Sequence, residues 1–215
     1  MAKYSTLIFD LDGTLTDPAL GVVRCMNYAL TSFDYSPLPD HQISKHIGPP
    51  LEDTLALLTG SDDKSHVDAL AAAYRERYGE IGFKENTVYD GVVDMLHALK
   101  SNGTSMMVCT SKLEINAIRV LNEFNLLDYF DHINGSTEPG PKSMQLAKLL
   151  DEGKIDTEAL MIGDRHVDLR AATANGLAGA GVLWGYGSEE ELEAEAPALL
   201  FSNPRELTEK LAPRP

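Results

Sequence analysis

Four short apolar segments, each closed at its carboxyl end by a polar residue or a glycine, constrain this chain more than any other feature. Thr6-Leu7-Ile8-Phe9 runs into Asp10 and an acidic turn containing Gly13, and Ser105 to Cys109 ends in Thr110. Ala159 to Ile162 ends in Gly163-Asp164, and Gly181 to Trp184 ends in Gly185. Strands this short and this uniformly apolar are buried on both faces, as in a parallel sheet. Helical periodicity fills the intervals. Gly91 to Lys100 aligns Val92, Met95, Leu96 and Leu99, with Asp90 as N-cap and Gly103 as stop. Lys112 to Phe124 aligns Ile115, Ile118, Val120 and Leu121, and Ser143 to Leu150 aligns Met144, Ala147 and Leu150. Strands alternating with helices predict an α/β fold built on a doubly wound, mostly parallel sheet. Ligands bind such sheets beyond the carboxyl ends of the strands, which is where the polar residues of this chain collect.

The rhythm breaks after the first strand. Leu20 to Ser32, Pro50 to Leu58 and Ser65 to Tyr78 are helical in pattern, and no buried strand is evident among them. Residues 16–87 are therefore expected to form a small helical domain inserted into a core made of 1–15 and 88–215. Composition narrows the class of protein. The 215 residues, 43% of them hydrophobic, suffice for a sizeable core. No apolar run approaches the ~20 residues of a membrane helix, and the N-terminus turns acidic too early for a signal peptide. A cytoplasmic location without a membrane partner is expected. A net charge of −15 repels phosphate backbones and argues against nucleic-acid binding. Cys25 and Cys109 are too few for a disulfide framework or a zinc site. The acidic run Glu189 to Glu195 reads as a solvated helix face.

Chemistry concentrates at the strand ends. Asp10 and Asp12, one residue apart, can point the same way and repel each other unless a cation intervenes. Such a pair suits one ionised nucleophile and one proton donor. Thr110, followed by Ser111 and a helix start, is either a strand-end hydroxyl satisfying backbone, the commoner role, or a partner for a phosphoryl oxygen. Lys142 follows a Gly140-Pro141 loop that can aim its ammonium, with Lys148 as a rival inside the next helix. Asp164 and Asp168 share a face if the turn after the third apolar segment is helical.

At this point Asp10-Leu11-Asp12-Gly13-Thr14-Leu15-Thr16-Asp17 resembles the first signature of the haloacid dehalogenase superfamily of phosphotransferases. Three further signatures follow in order. Met106 to Lys112 is similar to the second, Lys142 to the third, and Gly163-Asp164-Arg165-His166-Val167-Asp168 to the fourth. The resemblance spans nearly the whole chain and implies a Rossmann-like core with an α-helical cap. It also implies a Mg²⁺-dependent phosphatase acting on a small phosphorylated metabolite through an aspartyl-phosphate. On that basis Asp10 is the nucleophile and Asp12 the proton donor, while Thr110, Ser111 and Lys142 bind the phosphoryl group. The metal falls to the side chains of Asp10 and Asp164 and the backbone carbonyl of Asp12, with Asp168 behind them. His166 is expected on a loop or surface and Arg165 in a structural ion pair. Lys45 and His46 are candidates for substrate contact in the cap.

Within the superfamily the chain is most similar to the phosphoglycolate-phosphatase-like branch, which also holds 5′-nucleotidases and pyrophosphatases; a phosphomutase would use the same residues. Val88-Tyr89-Asp90-Gly91 and Lys142-Ser143 depart from the Tyr-Pro-Gly and Lys-Pro common in that branch. A dehalogenase would lack the second acid, Asp12. A monomer or weak homodimer is expected.

Overall fold

The computed structural model of the protein describes residues 4–136 and 140–212. The chain divides into two compact units, with boundaries at 17/18 and 87/88. Residues 18–87 form a helical unit of α1 (Ala19–Ser32), α2 (Asp40–Ser44), α3 (Leu51–Thr59) and α4 (Lys64–Glu80). These helices bury a core of their own around Met26, Leu30, Ile43, Leu55 and Leu70. Lys45 and His46 lie in the α2–α3 connection, Lys45 exposed and His46 half-buried.

The other unit carries the strands, apart from Thr87. They are β1 (Thr6–Phe9), β2 (Thr16–Asp17), β3 (Thr87–Val88), β4 (Ser105–Leu113), β5 (His132–Ser136), β6 (Leu160–Gly163), β7 (Ala178–Val182) and β8 (Leu199–Phe201). Six of them pair in parallel in the order β5-β4-β1-β6-β7-β8. Counted along the chain, that is the doubly wound order 3-2-1-4-5-6, with its switch point between β1 and β6. In sheets of this order the ligand crevice lies at that point, and Asp10 and Asp164 stand immediately beyond its two strands. The fold class expected from the alternation is the one observed.

The helices of this unit are α5 (Val92–Ser101), α6 (Glu114–Glu123), α7 (Lys142–Asp151), α8 (His166–Ala174), α9 (Glu189–Glu193) and α10 (Pro204–Leu211). Side-chain alternation in β1 decides what Asp10 can reach. Ile8 is buried in a cluster with Leu146 and Leu149 of α7 and Ala171 and Ala172 of α8. Phe9 points to the opposite face, where its ring meets Phe130 edge-on at 6.2 Å. Two residues past Ile8, Asp10 returns to the α7/α8 side. The first turns of those helices supply its partners.

Several local expectations are corrected. Lys112 is not a helix start. β4 continues through a register shift after Cys109 until Leu113 pairs with Ser136, and α6 begins only at Glu114. Strand pairing with β5 outweighs the helical periodicity of that stretch. Helix α5 is capped by Gly91, at φ 82°, and not by Asp90. The last predicted strand lies earlier in the chain, at Ala178–Val182, which leaves Trp184 in a loop. The two edge strands are not anticipated from sequence: β5 (His132-Ile133-Asn134-Gly135-Ser136) carries no continuous apolar run, and β8 (Leu199-Leu200-Phe201) is apolar but only three residues long.

Candidate active site

Asp10 sits immediately beyond β1, its side chain 13% exposed. Its Oδ1 accepts the Leu11 N–H at 2.8 Å and the Lys142 ammonium at 3.0 Å. Among the described residues its Oδ2 accepts no hydrogen bond. Lys142 is the first residue of α7, and its side chain is 3% exposed. The ammonium also donates to Asp168 Oδ1 and so bridges two carboxylates. Lys148, the rival, is exposed and faces Glu152 at 3.9 Å, far down the same helix.

Asp164 follows β6 and is fully buried. Its Oδ1 accepts the Thr14 hydroxyl at 3.1 Å, and its Oδ2 accepts the Tyr186 N–H at 2.9 Å. Asp168 lies in the first turn of α8, where its Oδ2 accepts the Arg165 N–H at 3.1 Å and stabilises the helix start. Asp164 precedes α8, so the two do not share a helical face. They nevertheless converge: one carboxylate oxygen from each of Asp10, Asp164 and Asp168 lies within 4.8 Å of the others.

Asp12 takes a different cation. Its Oδ2 lies 2.5 Å from the Lys112 ammonium, while its Oδ1 is buried without a partner. Thr110 is buried and Ser111 exposed, as alternation along β4 requires. The Thr110 Oγ1 accepts the Lys112 N–H at 3.3 Å, and its carbonyl accepts from Gln145 Nε2 at 3.1 Å. With α6 starting four residues after Thr110, the N–H groups near this hydroxyl belong to extended backbone and not to a helix terminus.

The model of the family described as haloacid dehalogenase-like hydrolase matches residues 7–182. The chain belongs to this family. A "5'-nucleotidase" of Pseudomonas aeruginosa is 38% identical over 199 residues, covering 91% of this chain and 90% of the relative. "Phosphoglycolate phosphatase 1" of the same organism is 33% identical over 211 residues, covering 94% of this chain and 77% of the relative. The crystal structure of a predicted phosphatase from Clostridium acetobutylicum superposes with a TM-score of 0.88 at 34% identity, covering 96% and 97% of the two chains. These names fit a phosphoric monoester hydrolase. No helix among the described residues is long and apolar enough to cross a membrane.

For a hydrolase of this family, the electrostatics of the crevice matter as much as its geometry. Burial, then the charges of Asp168 and Asp10, push the Asp164 carboxyl up to about 8. Burial also lifts Asp168 to about 6, against the pull of Lys142. Burial alone would push the Lys142 ammonium down, but Asp10 and Asp168 outweigh it and hold the group above the usual lysine value. Asp12 is raised by burial in spite of Lys112. Clustered oxygens that resist carrying negative charge, and nothing but oxygen as donor, fit a hard divalent cation.

Other residues of the site escaped the sequence reading. The loop Trp184-Gly185-Tyr186-Gly187 wraps Asp164. Trp184 Nε1 donates to the Thr14 carbonyl at 2.9 Å, and the Tyr186 hydroxyl donates to Asp17. A Cβ at Gly185 would lie 2.3 Å from both Asp164 Cβ and the Gly13 carbonyl oxygen. Gly13, at φ 89°, approaches Asp164 as closely, a Cβ there lying 2.2 Å from its Oδ2. Two glycines flanking one tyrosine after an apolar strand were the available signal. His166 and Arg165 are pinned by Glu191: His166 Nδ1 and Arg165 Nε lie 2.7 and 2.8 Å from its Oε1. The acidic run is therefore more than a solvated face, because one of its members holds the entrance to α8.

Proposed function

We propose that this protein hydrolyses a small phosphomonoester with Mg²⁺, through an aspartyl-phosphate on Asp10, and that its substrate is phosphoglycolate-like. The observation that carries the proposal is the division of the Asp10 carboxylate. Oδ1 is fixed by Lys142 and a backbone N–H, and Oδ2 is left open beside the carboxylate cluster. Oδ2 attacks phosphorus in line as the bond to the leaving oxygen breaks. Asp12 gives that oxygen a proton, then takes one from the water that hydrolyses the aspartyl-phosphate. Thr110, Ser111 and Lys142 receive the phosphoryl oxygens.

The side chains of Asp10 and Asp164 and the Asp12 carbonyl would hold Mg²⁺, with Asp168 supporting from behind through Lys142 and α8. Both oxygens of Asp168 are already hydrogen-bonded, which favours that supporting place. When bound, Mg²⁺ supplies positive charge against the phosphoryl oxygens. The helical unit is the proposed cap.

A second substrate class, nucleoside 5′-monophosphates, is favoured by the 38% identity to the P. aeruginosa 5'-nucleotidase. Turnover of p-nitrophenyl phosphate with Mg²⁺, and its loss in Asp10→Asn with the fold intact by circular dichroism, tests the chemistry. Activity retained in that variant, or insensitive to EDTA, would overturn it. A panel of phosphoglycolate, nucleoside monophosphates, sugar phosphates and pyrophosphate, followed by phosphate release, then decides substrate class and separates hydrolase from mutase.

A further inference from the structure

We propose that Lys112 is a positioning residue that fixes Asp12 by one carboxylate oxygen so that the other faces the leaving group. The proposal deepens the function above and rests on Asp12 as the proton donor. It stands on two observations about one side chain. Asp12 Oδ2 is 2.5 Å from the Lys112 ammonium, and the two side chains are 21% and 10% exposed. An ion pair so shielded holds its geometry, whereas an exposed pair exchanges freely with water. Asp12 Oδ1, by contrast, is buried and has no hydrogen-bond partner.

The other carboxylates define the contrast. Both oxygens of Asp164 and both of Asp168 accept hydrogen bonds from the protein. A buried oxygen left unpaired costs about 1–3 kcal/mol, so a fold that keeps one at a catalytic position keeps it for an incoming partner. In the proposed reaction that partner is the oxygen of the departing alcohol. The torsion at a carboxylate's Cβ–Cγ bond is broad, so without an anchor either oxygen can swing through the crevice. Lys112 supplies the anchor. It reaches Asp12 only because β4 runs past Cys109 to Leu113 and keeps residue 112 extended beside the first loop.

Proton donation matters in proportion to the basicity of the leaving oxygen, and this separates positioning from mere structural support. The ratio kcat/KM reports the step up to cleavage of the P–O bond, free of the later hydrolysis of the aspartyl-phosphate. It is to be measured on p-nitrophenyl phosphate, whose phenolate leaves readily, and on β-glycerol phosphate, whose alkoxide does not. The variants are Lys112→Met, Lys112→Arg and Asp12→Asn. For Lys112→Met we expect kcat/KM on β-glycerol phosphate to fall by about 10²-fold, the lower range for loss of general acid catalysis, and on p-nitrophenyl phosphate by a few-fold only. Retained p-nitrophenyl phosphate turnover shows that the variant is folded with Asp10 functional. Lys112→Arg should restore most of the alkyl-phosphate rate. Equal losses on both substrates, or no loss on β-glycerol phosphate, would overturn the role of Lys112 while leaving that of Asp12 intact. Equal losses in Asp12→Asn would overturn the assignment of Asp12 itself, and the positioning role with it.

Discussion

Replacing Lys142 by Met should destabilise the metal-free protein severely, and in a way that depends on pH. The ammonium is buried between Asp10 and Asp168, with a side chain 3% exposed. Removing one member of a buried ionic cluster strands the remaining charges and typically costs 3–5 kcal/mol. At roughly 2–4 °C per kcal/mol for a chain of this size, the melting temperature should fall by roughly 6–20 °C at pH 8. The pH dependence follows from the direction of the shifts. Asp168 already titrates near 6 with Lys142 in place, well above its unfolded value, and loss of the cation moves it higher still. A carboxyl whose folded pKa is raised binds its proton more tightly in the native state. Its destabilising effect is therefore absent below the unfolded value of about 3.9 and grows as pH rises through the folded one. The ammonium stays protonated through neutral pH, but what it gains in the fold comes from the charges of its carboxylate partners, so its contribution fades as Asp168 takes up a proton. The deficit of the variant should accordingly be smallest near pH 4.5 and grow as pH rises past about 6 towards pH 8. Thermal melts followed by circular dichroism in EDTA, across that range, are the assay. A melting temperature at pH 8 within a degree or two of wild type, or a deficit that does not change with pH, would refute the picture of one cation compensating two buried acids.

Two other outcomes follow from the same crevice. Because Asp164 is pushed up to about 8, a cation must displace a proton to bind at neutral pH. Mg²⁺ affinity should rise from pH 6 to pH 8, and calorimetry in buffers of different ionisation enthalpy should register proton release; pH-independent binding would contradict it. Gly185→Ala puts a Cβ 2.3 Å from Asp164 Cβ and should cost about 1–3 kcal/mol of stability and raise the Mg²⁺ concentration needed for half-maximal turnover. A variant that melts and titrates like wild type would show that the loop yields easily.

Much of this was legible in the linear chain, and for a common reason. The four apolar segments announce strands because burial on both faces excludes polar residues locally, and their ends locate Asp10, Thr110 and Asp164 without knowledge of pairing. Lys142 was legible from its place at a helix start after a glycine and a proline. Lys112 was not. Its neighbours Ile115 and Ile118 have helical spacing, and only the partner strand, pairing Leu113 with Ser136, pulls residue 112 into an extended conformation. Asp168 reads in sequence as an ordinary helix-start carboxylate. Its Oδ2 does serve that role, yet its Oδ1 meets an ammonium from a different helix.

The sequence by itself thus determined which residue types stand at which strand ends, and with them the doubly wound fold and the haloacid dehalogenase-like family, because burial and periodicity are recorded residue by residue. Tertiary structure alone decided which donor each acid receives: the Lys142 ammonium for Asp10 and Asp168, the Lys112 ammonium for Asp12, and for Asp164 a backbone N–H of the loop after β7. Those partners lie between 22 and 132 positions apart in the chain, as Asp164–Tyr186 and Asp10–Lys142 show. Strand order and loop path, which no local pattern encodes, bring them within hydrogen-bonding distance.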